Sequence, residues 1–189
     1  MNFKVISTVF VLSFTLFLAS CQKAGPAAKV VKLTGSGEVL RGGKSESLAL
    51  GKELMIGDVV RTGKASAAVL GFIQDSTLAE MQAETEFVVG AYSKNQKELR
   101  IAKGNVWLKV SKLGAGESFT LYSPAAVAGV RGTTFYTAQI GDMWVTCHCE
   151  GAVDFKNSGS AYHELHTKDH LAFTRGGKTV VLSPEELKS

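Results

Sequence analysis

The segment Met143-Trp-Val-Thr-Cys147-His148-Cys149-Glu150 sets two thiols two residues apart, and His163, His166 and His170 follow it. Thiols and imidazoles are ligands that zinc selects, so a metal centre here would use both sulfurs and one or two of those rings. On a helix, histidine spacings of three and four would gather the rings on one face. The run from Ala161 to Thr167, then Lys168-Asp169, then Leu171 to Thr174 reads better as two strands meeting at a corner, which sends His163 and His166 to opposite faces. No metal is therefore favoured, and a metal or redox role for Cys147, Cys149, His163, His166 and His170 stands as the alternative. In an extended chain Met143, Val145, Cys147 and Cys149 share one face, while Trp144, Thr146 and His148 share the other. The cysteines then lie on the apolar side and pack as small hydrophobes. Two residues apart on a strand, they suit a disulfide poorly unless a kink or bulge intervenes. Trp107 and Trp144 are left as weak candidates for a binding surface.

Other chemistry is poorly served. Asp75, Glu80, Glu84 and Glu86 are spaced too diversely to nominate the carboxylate pair that a polymer-cleaving enzyme needs, and no base stands near Thr133 or Thr134, so no catalytic residue is expected. Arg131 sits between Gly129 and Gly132 in Ala126-Val-Ala-Gly-Val-Arg-Gly-Thr-Thr-Phe135, without the lysine or helical sequel of a phosphate loop. It reads as a structural clasp: the glycines allow a turn, and the guanidinium fans its donors onto carbonyls and one acidic partner. Lysines are scattered through polar turns and the formal net charge is only +4, so nucleic acid is a poor partner.

The elements that must position these groups are strands. Short apolar or alternating runs, such as Ala67 to Leu70, Phe87 to Val89, Val106 to Val110 and Phe119 to Leu121, are separated by glycine-rich punctuation, and the chain holds 20 glycines against 3 prolines. One all-β domain over residues 30–182 is expected, coiled like a solenoid, with a two-sheet sandwich as the alternative. Ser183-Pro184-Glu185-Glu186 carries a cap, a first-turn proline and a capping-box glutamate, which predicts a short C-terminal helix in 183–189.

The first twenty residues read differently. A basic start through Lys4, an apolar run from Val5 to Leu18 and small residues after it describe a secretory signal, too short for a comfortable membrane span. Leu18-Ala19-Ser20-Cys21 resembles the bacterial lipobox. That resemblance implies cleavage before Cys21, a covalent lipid on its sulfur, a tether over 21–29 and attachment to a membrane outside the cytoplasm. Gln22 after the cysteine is similar to lipoproteins passed on to an outer membrane. No other cofactor is expected.

Glu53 to Gly63, Ala68 to Leu78, Ile101 to Val106, Ser123 to Phe135 and Cys149 to Val153 together resemble the FecR domain, in the order and spacing of that family, over roughly residues 30–155. The resemblance implies a compact coiled all-β domain without an active site, and it makes Asp58 and Asp75 the acidic partners to consider for Arg131. Iron-dicitrate sensors of the family add a sigma-factor-binding segment, a transmembrane helix and a transporter-contacting module. Here the lipobox signal and the short C-terminal remainder imply that only the domain carries over, as a binding or sensing scaffold for an envelope protein or cell-wall polymer.

Overall fold

A computed structural model describes residues 25–130, 132–167 and 169–188. Its strands are β1 (Ala28–Thr34), β2 (Gly37–Arg41), β3 (Lys44–Ser47), β4 (Glu53–Leu54), β5 (Val59–Thr62), β6 (Ala67–Phe72), β7 (Leu78–Met81), β8 (Glu86–Tyr92), β9 (Gln96–Lys103), β10 (Asn105–Lys109), β11 (Ser118–Tyr122), β12 (Ala126–Val130), β13 (Thr134–Ile140), β14 (Met143–Glu150), β15 (Val153–Asn157), β16 (His163–His166), β17 (His170–Arg175) and β18 (Lys178–Leu182). They form two nine-stranded sheets. The first runs β18-β17-β14-β13-β10-β7-β6-β1-β4 and the second β16-β15-β12-β11-β9-β8-β5-β2-β3.

The order records how the chain advances. It lays β6 and β7 in the first sheet, β8 and β9 in the second, β10 in the first, β11 and β12 in the second, and continues alternating to β18. Successive passes thus coil between two layers that grow in the same direction, which unites the solenoid and sandwich expectations. Among the described residues all pairings are antiparallel except β9 with β11. No helix of the described residues is long and apolar enough to cross a membrane.

Period-two alternation drives the layering. In β6 every second residue is buried, as a half-buried pleated strand requires, and β8 alternates likewise up to Val89, where an irregularity shifts its register. The first sheet sends Leu54, Leu70, Met81, Leu108 and Phe135 into the space between layers, and the second sends Phe87, Leu99, Ile101, Phe119 and Phe155, all under 2% exposed. Each such burial contributes about 1.5–3 kcal/mol, so the core between the sheets dominates stability. Phe72 of the first sheet stacks on Tyr92 of the second, with ring centroids 4.2 Å apart.

One glycine shows how tight the crossings are. Gly104 joins β9 to β10 at φ +88°, and a Cβ there would lie 2.6 Å from the Thr85 Cα. Only glycine takes that backbone path at little steric cost.

The short C-terminal helix is corrected to a single 3-10 turn, Glu186–Lys188. Its capping box does form: the Ser183 N–H donates to Glu186 Oε2 at 2.8 Å, and the Glu186 N–H to Ser183 Oγ at 3.4 Å. Fixing a first helical turn costs more than one bond returns, and a cap alone does not propagate a helix.

Candidate functional site

Beyond β7, the outward face of the first sheet carries an apolar row. Trp107 on β10 lies opposite Tyr136 on β13, Tyr136 opposite Cys147 on β14, Cys147 opposite Leu171 on β17, and Leu171 opposite Leu182 on β18. A neighbouring row sets Val145 opposite Phe173 and Phe173 opposite Val180. Trp107 is 41% exposed and Val180 61%. The indole tilts against the Tyr136 ring with centroids 4.8 Å apart. In the other direction the first row becomes mixed, with Val69 between the charged Glu80 and Lys32. An antiparallel sheet facing water ordinarily shows polar residues on that side, so a continuous apolar row of this length is a candidate contact surface, although Val31 and Leu78 are also exposed on the other half of the face.

Trp107 lies where the sequence places it, but β14 is turned over. Trp144, Thr146 and His148 point inward at 6%, 7% and 0% exposure, while Cys147 and Cys149 look outward, half-buried. The expected core packing of the cysteines and the expected exposure of Trp144 are both corrected. Alternation does not decide between faces that each mix apolar and polar residues. The neighbours decide: Thr146 meets Thr137 across the ladder, with hydroxyls 3.3 Å apart, and the His148 ring packs on Phe155 of the second sheet.

A bulge interrupts β14. Phe135 pairs with His148 and Thr134 with Glu150, so Cys149 has no partner on β13. The extra residue brings the Cys147 and Cys149 sulfurs to 2.9 Å. Burial, then the neighbouring Cys149, pushes the Cys147 thiol up to about 12.

On the inner face, the sequence reading missed His148 as a polar participant. His148 Nδ1 and His166 Nδ1 are 2.9 Å apart, His166 Nε2 is 2.8 Å from the Tyr162 hydroxyl, and that hydroxyl donates to Glu164 Oε2 at 2.7 Å. Since Tyr162 gives its proton to Glu164, it accepts from His166 Nε2–H. His166 Nδ1 then accepts from His148 Nδ1–H, and all four groups are ordered by this inference from the network. His148 Nε2 is buried without a partner among the described residues. Burial, reinforced by the charges His166 and His170 would carry, drives His148 down to about 3. Burial also lowers His166, and Glu164 opposes that shift.

The residues of the metal alternative are not brought together. Cys147 and Cys149 lie on the outward face, His166 lies in the core, and His163 is exposed beside Asp154, with Nε2 to Oδ1 2.5 Å. His170 stacks on His166 with centroids 5.5 Å apart. No cluster of three or more potential metal ligands occurs among the described residues.

Arg131 and Cys21 lie outside the described residues. The carboxylates considered for Arg131 are engaged by other cations. Buried Asp58 receives Arg41 Nε at 2.8 Å and Nη2 at 2.6 Å, and also accepts the Met55 N–H at 2.8 Å. Asp75 accepts the Tyr92 hydroxyl at 2.9 Å and lies 3.8 Å from Lys97 Nζ. Lys97, itself buried, also donates to Glu117 at 3.2 Å and to the Lys94 carbonyl at 2.9 Å. No sequence signal ties Arg41 to Asp58, because nothing local sets β2 beside β5. Gly132 takes φ +69°, as a turn glycine does. Gly129, expected to shape that turn, is corrected to an interior strand residue of β12, opposite Thr120 and Asp154.

The central part of this fold matches a known family. The model of the family described as FecR protein matches residues 58–154, just over half of the 189-residue chain. The chain belongs to the FecR family. Its FecR segment thus opens at Asp58, spans Trp107 and the cysteine bulge, and closes within β15, leaving the histidines of β16 and β17 beyond it. Two crystal structures of a candidate anti-sigma factor from Parabacteroides distasonis ATCC 8503, at 1.65 and 2.50 Å resolution, share the fold with TM-scores of 0.59 and 0.58 at 12% identity. Each match covers 66% of this chain and 59% of that one, so the chain spans less than two thirds of the length of these structures. No curated protein matches it.

Proposed function

We propose that this protein is a non-enzymatic lipoprotein of the bacterial cell envelope whose FecR domain is a binding or sensing scaffold, docking an envelope protein on the outward face of its first sheet. The apolar row from Trp107 to Leu182 carries the reading, because burying such a face against a partner recovers the hydrophobic free energy that exposure forfeits. The anti-sigma assignment of the fold relatives supports a regulatory protein contact. Lipid attachment at Cys21 would hold the domain at the membrane, with the outer membrane the reading that Gln22 supports. A cell-wall polymer is the second reading, favoured by the adjoining Trp107 and Tyr136 rings, since a sugar ring can stack on the exposed indole.

A photo-crosslinking residue at Val180 in intact cells should capture one discrete envelope protein, and Trp107→Ala should abolish the capture. The same group at Leu50, 70% exposed in the loop before β4, should capture none. Equal capture at both positions refutes the surface assignment, and a glycan adduct replaces the protein reading with the polymer. Metabolic labelling with palmitate, lost in Cys21→Ala, tests the anchor separately.

A further inference from the structure

The outward bulge of β14 holds two thiols in an arrangement that packing alone does not require. Consecutive same-face positions of a regular strand have Cα atoms about 6.6–6.8 Å apart, at the far limit of the roughly 4.4–6.8 Å that a disulfide spans. The unpaired Cys149 breaks that regularity, and the sulfurs approach to 2.9 Å. Both are half-buried, open enough to meet a small reagent, and the Cys149 sulfur lies 3.7 Å from the Cys147 carbonyl. A register shift that served only to end the strand would not need a thiol on each side of His148.

We propose that Cys147 and Cys149 are a redox couple, a dithiol on the outward face of the first sheet that closes to an intramolecular disulfide by exchange with a small-molecule disulfide. The unpaired Cys149 attacks first, as its thiolate, on one sulfur of the oxidant, forming a mixed disulfide and releasing one thiolate that takes up a proton. Cys147 then displaces the second half of the oxidant from Cys149, and its proton passes to that leaving thiolate. The protein gives up two electrons and two protons, and one disulfide is reduced to two thiols. Burial raises the Cys147 thiol, so Cys147 gives up its proton as it attacks, and the 2.9 Å approach of the two sulfurs favours this intramolecular step.

The test uses the reduced full-length chain, equilibrated over a range of oxidised to reduced glutathione, acid-quenched, alkylated with N-ethylmaleimide and mapped by peptide mass spectrometry. Cys147 and Cys149 should lose their labels together and recover them with dithiothreitol, with the linkage mapped between the two. Cys147→Ser should stop at a glutathione adduct on Cys149. Cys149→Ser should leave a Cys147 that alkylates at neutral pH at least ~10-fold more slowly in the folded chain than in the same chain unfolded in urea. Circular dichroism confirming the fold of each variant keeps the comparison valid. Labels retained on both residues throughout the range, or sulfurs joined to Cys21 or to a second chain, overturn the couple.

Discussion

Replacing His148 with phenylalanine should flatten the acid dependence of folding stability. The imidazole is fully buried, its Nε2 has no partner among the described residues, and its Nδ1 is spent on His166. Facing it are the His166 and Phe155 rings, with His170 opposite it in the ladder, and the nearest carboxylate of the network, Glu164, lies beyond Tyr162. In the native state burial drives the ring down to about 3, against the 6.5 of an ordinary histidine. Between those values the unfolded chain binds a proton that the native chain refuses. The contribution of His148 is therefore complete above pH 6.5 and is lost progressively as pH falls toward 3. Each unit is worth about 1.4 kcal/mol, so roughly 2–3 kcal/mol disappears between pH 6.5 and 4.5 from this residue alone. His166, also lowered, adds to the slope. Urea unfolding at pH 7, 6, 5 and 4.5 measures it, and His148→Phe should remove close to one proton's worth of slope whatever its absolute stability. An unchanged slope refutes the assignment of that acid sensitivity to His148.

Arg41→Ala should destabilise the domain by about 2 kcal/mol in denaturant unfolding, less than the 3–5 of a fully buried pair because solvent reaches the 42%-exposed guanidinium and screens it. Lys97→Met should lower the melting temperature at pH 7. Glu117, held below the usual carboxylate range chiefly by its hydrogen bond from Lys97, would then return toward it, so the gap from wild type should narrow as pH falls through that range. Gly104→Ala should cost about 1–3 kcal/mol by thermal melting, since it forces alanine to φ +88° against Thr85.

Strands, turns and the single β domain are legible in the sequence because alternation and glycine placement are local signals. The turn before β10 can be read from Gly104 itself, and the capping box from Ser183 and Glu186. What escapes local reading is anything set by register between distant strands. Trp144 and Cys147 are each plausible on either face of β14, and Phe155 and Thr137, in other strands, settle it. The same holds for Arg41 and Lys97, whose partners lie 17 and 22 positions away along the chain and meet them only after the sheets assemble. The short C-terminal helix failed for the opposite reason: its local signal is real, but nothing packs it into a longer element.

The alternation of hairpins between two open layers has a further consequence. Neither layer bends round to meet its own start, so each new pass rests chiefly on the one before it, and adding or deleting a pass leaves the interior untouched. Variation in length belongs at the ends of such a stack, and so does fraying. Under mild denaturant, the backbone amides of β16 to β18 should exchange with solvent before those of β6 to β10, in an unzipping that runs inward from the tip.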